Sequence, residues 1–131
     1  MSPASDSQLD EATTRSVLVR IARETDASPA VAERWFSELL RFLDLAAEMR
    51  ATGDERALVP SPKVDTAWHA LILHTRAYTE LCQRRYGGYV HHEIAPPDES
   101  GSASEVFYYA RTRVLMEKRY GGLDEDLWPL P

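Results

Sequence analysis

The chain has 131 residues, with 15 Lys and Arg against 21 Asp and Glu for a formal charge of −6, and 44% of its residues are hydrophobic. That length and hydrophobic content suit one globular domain with a single core. The acidic balance gives no overall pull toward a phosphate backbone or an anionic membrane, which argues against nucleic acid as a partner. Arg84 and Arg85 could form a local anion patch, although such a pair on a helix surface is ordinarily solvated charge.

No apolar run is long enough to span a bilayer, and the N-terminus lacks the basic start and apolar stretch of an export signal. Cys82 is the single cysteine and has no partner for an internal disulfide, which agrees with a reducing compartment. The expectation is a cytoplasmic protein.

Residues 1–8, rich in Ser, Pro and Asp, have little to bury and read as a flexible tail. A first helix is expected over 9–24, with Val17, Leu18 and Ile21 at helical spacing. Ser28-Pro29 opens a second. The serine oxygen can accept from a free N–H of the first turn, and proline has no N–H to lose there. Over 29–50 the residues Ala32, Trp35, Phe36, Leu39, Leu40, Leu43 and Ala47 recur every three or four positions and make a wide core face, with Glu33, Glu38 and Arg41 on the wet side.

Ser61-Pro62 repeats the start signal and opens a third helix, expected over 62–86 and closed by Gly87-Gly88. A loop from Ile94 to Ser102 follows, and Ser102 with Glu105 matches a capping box for a fourth helix over 103–120, again ended by a double glycine. The expected fold is all-α, a single-domain bundle of about four helices over 9–131.

Chemistry concentrates between Val64 and His92. Val64, Trp68, Leu71, Thr75, Tyr78 and Cys82 alternate four and three apart, a stripe most simply read as core. Asp65 and His69 sit four apart on its flank, close enough to hydrogen-bond or to share a metal ion. His74 points away from that pair. His91-His92 follow the Gly87-Gly88 stop closely enough for one of them to return beside Tyr78 or Cys82. His69 and Cys82 cannot share one ion along an unbroken helix, because thirteen residues separate them by about 20 Å. The candidate ligands Asp65, His69, Cys82, His91 and His92 therefore cannot all serve one ion. No standard catalytic signature is present, whether a His-Glu-x-x-His, a phosphate loop or a nucleophile elbow.

The run Val64-Asp65-x-x-Trp68-His69-x-x-Ile72-x-x-Thr75-x-x-Tyr78-x-x-x-Cys82-x-x-x-x-Gly87 with His91-His92 resembles the signature of the glycine-rich domain-containing protein-like family, largely uncharacterised proteins of bacteria and plants. The resemblance covers about Pro60 to Glu93. It implies a helical domain in which Asp65, Trp68, His69, Tyr78, Cys82, His91 and His92 matter, without implying a reaction. The chain has only 6 Gly and no glycine-rich extension.

Three functions compete. The first is binding of zinc or another transition metal by part of the His/Cys/Asp set, with metal-assisted hydrolysis as a further step and Tyr78 or Glu93 as proton-transfer candidates. The second is a non-catalytic protein interaction module. In it the same residues form a hydrogen-bond network, and the tail Leu127-Trp128-Pro129-Leu130-Pro131 either docks to a partner or closes the core. The third is a small-molecule pocket lined by Trp68, Tyr78, Tyr86 and Tyr89.

Overall fold

The structure, a computed structural model, describes residues 9–54, 58–92 and 102–131. The expected tail over 1–8, Glu93 and the loop from Ile94 lie outside the described residues, and so does the Ser102 side chain of the expected capping box. Among the described residues there are five helices and no strand: α1 (Glu11–Thr25), α2 (Pro29–Ala51), α3 (Pro62–Ile72), α4 (Thr75–Tyr86) and α5 (Ser102–Tyr120). None is long and apolar enough to cross a membrane.

The helix starts follow the local chemistry. Asp10 accepts from the Thr13 amide at 2.6 Å, Ser28 from Val31 at 3.2 Å and Ser61 from Val64 at 3.1 Å. Gly87 closes α4 in the left-handed conformation at φ 72°, where a Cβ would be strained although nothing lies near enough to clash with it. Gly87→Ala should therefore cost about 1 kcal/mol through backbone strain alone, read as a lowered urea midpoint. An unchanged midpoint would contradict that reading of the turn.

Helix α2 is the central pillar, packing on α1, α3, α4 and α5, while α1 also rests on α3. Its core face differs from its periodicity, since Phe42 and Leu45 are buried beside Ala32, Trp35, Phe36, Leu39, Leu40 and Leu43, while the expected Ala47 is only partly buried. Glu38 departs from the expected wet face. It is 8% exposed and accepts from the Trp128 indole N–H at 2.9 Å. The partner comes from the far end of the chain, so nothing in the α2 pattern announces it.

The expected third helix is two helices. At its break, His74 sits at φ −87°, ψ 68°, and its amide turns to the Leu71 carbonyl at 3.0 Å. The carbonyl of Ala70, which an unbroken helix would pair with that amide, is met instead by His74 Nδ1 at 3.0 Å. A carbonyl only accepts, so Nδ1 carries the hydrogen. In the neutral ring Nε2 is then the acceptor for the Ser16 hydroxyl of α1, 2.8 Å away. Neither glycine nor proline marks this elbow. A histidine ring that replaces the lost backbone bond and ties to α1 makes it.

The C-terminal tail closes the core. Leu127 and Trp128 are wholly buried, and only Leu130 and its neighbours stay at the surface. Arg34 holds the approach to it, its guanidinium reaching Asp124 at 2.6–2.9 Å. Burial alone would raise the Asp124 carboxyl, but bonds from Arg34 and from the Leu127 amide outweigh it and hold the group below the ordinary carboxylate range. The stabilisation is therefore present above the unfolded value of 3.8 and is lost as the pH falls through the lower folded value. The urea midpoints of wild type and Arg34→Ala should differ most near about pH 6 and converge toward about pH 3. A gap that stays constant with pH would rule this contribution out.

Candidate metal centre

The centre begins with the Ser61-Pro62 cap. By starting α3 at Pro62 it sets Asp65 in the first helical turn, where the positive end of the helix dipole favours a carboxylate. One turn further on, His69 Nε2 lies 3.6 Å from Asp65 Oδ1. His69 is the outermost of the group, its side chain 57% exposed, and offers a route for an ion from solvent.

The third member arrives from beyond α4. Gly87 and Gly88 turn the chain, and the Arg50 guanidinium of α2 holds the turn by donating to the carbonyls of Tyr86, Gly88 and Tyr89 at 2.7–3.4 Å. Tyr78 fixes the next residue, its hydroxyl donating to the Val90 carbonyl at 2.5 Å while accepting from the Trp68 indole N–H at 3.0 Å. His92 then lies over α3. Its ring is 4.3 Å from that of Trp68 and 4.8 Å from that of His69, and its Nε2 is 2.5 Å from Asp65 Oδ1.

One ligand atom from each of Asp65, His69 and His92 lies within 4.8 Å of the others. The hydrogen bond to Asp65 raises the His92 imidazole above its ordinary value, against the opposing effect of burial. An ion entering the site has to displace that proton.

The remaining candidates are placed elsewhere. His91 is exposed, with its ring 4.7 Å from Tyr89, as expected when neighbours on extended chain face opposite ways. Cys82 is buried in the core one turn after Tyr78. Tyr78 is wholly buried with both hydrogen-bonding positions used, and burial pushes its hydroxyl far above the usual phenol range, so it keeps its proton at neutral pH. Of the four aromatics considered for a small-molecule pocket, Trp68, Tyr78 and Tyr86 are core and Tyr89 is at the surface. An open apolar groove of about 350 Å³ does occur between Pro60, Pro62, Tyr109 and Leu130, and none of the three ligand residues lines it.

The Arg84-Arg85 patch is spoken for. Arg85 forks onto Asp44 at 2.9 and 3.0 Å, and Arg84 lies 3.9 Å from Glu80. Arg50 and the Trp68 indole N–H build the site through bonds that no sequence pattern marks. Arg50 sits in the last turn of α2 and carries no signal except an unmatched charge near a helix end.

A family model described as UCP032817-like matches residues 14–101, most of the chain. The chain belongs to the UCP032817-like family. The match takes in most of α1, all of α2 to α4 and all three members of the cluster, so the UCP032817-like region contains the whole candidate centre, while α5 and the tail that closes the core lie beyond it. Comparison with curated proteins finds no match, and neither does comparison with solved structures.

Proposed function

We propose that the protein binds a divalent transition-metal ion, zinc in first place, through Asp65, His69 and His92, and that the coordination position left open serves metal-assisted chemistry such as hydrolysis. The observation that carries this reading is the convergence of three ligand atoms within 4.8 Å of one another. Three atoms bound to one ion at ~2.0–2.1 Å in tetrahedral geometry lie about 3.3 Å apart, so rotation of the exposed His69 is the main adjustment required. Two imidazoles and a carboxylate suit zinc and the neighbouring first-row metals, and three protein ligands with a fourth position free is the pattern of catalytic rather than structural zinc. A metal there lowers the pKa of bound water toward neutrality. The Asp65, Trp68-His69 and His92 elements of the glycine-rich domain-containing protein-like resemblance all meet at this centre, which supports the same reading.

Titration of metal-stripped protein with zinc, with elemental analysis after dialysis, tests this. One ion per chain is expected for wild type. His69→Ala should bind more than about 100-fold more weakly, beyond the effect typical of losing an outer-shell partner.

A second reading, a non-catalytic interaction module, draws on the His92–Asp65 bond and the His92 ring on Trp68, which form a network without an ion. Under it wild type retains no metal, while His92→Ala lowers stability.

A further inference from the structure

We infer that Tyr78 is the positioning residue of this centre. Its hydroxyl holds the 90–92 segment so that His92 completes the ligand set, and metal affinity depends on a group that never touches the metal. The inference rests on the metal-binding reading above for its effect on affinity, and on geometry alone for the placement of His92.

The geometry forms a continuous chain of contacts. The Trp68 indole N–H donates to Tyr78 Oη at 3.0 Å, and Tyr78 Oη donates to the Val90 carbonyl at 2.5 Å. Two residues past that carbonyl, the His92 ring packs 4.3 Å from the Trp68 ring and Nε2 meets Asp65. Trp68 thus touches both ends of the loop, one through its N–H and the other through its ring face. The tyrosine hydroxyl is the only side-chain group bonded to the Val90 carbonyl among the described residues.

The elbow makes this possible. Ten residues of unbroken helix would set Trp68 and Tyr78 about 15 Å apart along the axis. The break at Leu73 and His74 relaxes that separation, and the two side chains bond directly. The His74 ring, bridging the Ala70 carbonyl and Ser16, braces the break from the side of α1. A buried hydroxyl that must both donate and accept has one rotamer that satisfies both partners, so it transmits position more strictly than packing does.

Tyr78→Phe tests this because it keeps the ring and removes only the two hydrogen bonds. Cobalt(II) titration with visible absorption reads both affinity and coordination, and nuclear Overhauser contacts between the His92 and Trp68 rings read the placement in metal-free protein. Tyr78→Phe should bind cobalt about 10- to 100-fold more weakly, the range for loss of an outer-shell partner. Its spectrum should move toward that of His92→Ala, and the His92–Trp68 contact should be lost in the metal-free state. A variant with wild-type affinity and spectrum, or one that keeps the ring contact, overturns the inference. If wild type takes up no cobalt while Tyr78→Phe still loses the ring contact, the metal reading falls and the positioning role of Tyr78 stands. If Tyr78→Phe does not fold, Trp68→Phe removes the indole donor to the Tyr78 hydroxyl, and it is read by cobalt affinity and spectrum and by the contact between the His92 ring and the ring at position 68.

Discussion

Trp128→Ala is expected to cost about 3–5 kcal/mol of folding stability, the largest effect of any single change considered, and to bring the domain close to unfolding. The indole is wholly buried, 6.0 Å from the Phe42 ring and 6.2 Å from that of Tyr109. Truncation removes that contact and opens a cavity between α2 and α5. It also strips Glu38 of its indole donor. Glu38 is 8% exposed, and the cation paired with it among the described residues, Arg41, stands 3.8 Å away. A buried acceptor that loses its donor costs more than the bond contributed. Urea unfolding of Trp128→Ala beside Leu130→Ala checks the point, since Leu130 is 76% exposed and should change stability by about 0.5 kcal/mol or less. Equal midpoints for the two variants would mean that the tail does not close the core.

Asp65→Ala is expected to weaken zinc binding at least about 100-fold while leaving the helices in place. Asp65 is the member that reaches both histidines, at 2.5 Å and 3.6 Å, and it supplies the negative charge that offsets the ion's. Its removal also frees His92 from the bond that raises its pKa, so the proton becomes easier to displace even as the site loses its anchor. The loss of the carboxylate dominates, because it is a ligand and the only anion of the cluster. Circular dichroism at matched protein concentration separates lost binding from lost fold. Zinc affinity within threefold of wild type would remove Asp65 from the ligand set.

Much of the cluster is legible in the sequence, for reasons that differ by residue. Asp65 and His69 could be paired from spacing alone, because four residues on a helix bring two side chains to one face. The return of a histidine from beyond Gly87 was legible as a possibility, but its destination was not. The sequence suggested the neighbourhood of Tyr78 and Cys82, and the chain does pass Tyr78 through the Val90 carbonyl. His92 itself continues to the opposite end of the old stripe, onto Asp65. An unbroken helix over 62–86 would set Tyr78 about 15 Å from Trp68 along the axis, whereas the break at Leu73 and His74 lets the two side chains bond.

Local chemistry determined the helix starts at Ser28-Pro29 and Ser61-Pro62, the stop at Gly87, the all-helical class and the Asp65–His69 pair, because each of those rests on groups within about four residues of one another. Tertiary structure alone decided the elbow at His74, the burial of Glu38 under Trp128 and the choice of His92 over His91 and Cys82 as the third member. Those outcomes depend on partners 58, 90 and 27 residues apart, for Ser16 with His74, Glu38 with Trp128 and Asp65 with His92. No periodicity encodes which distant groups meet once the chain has packed.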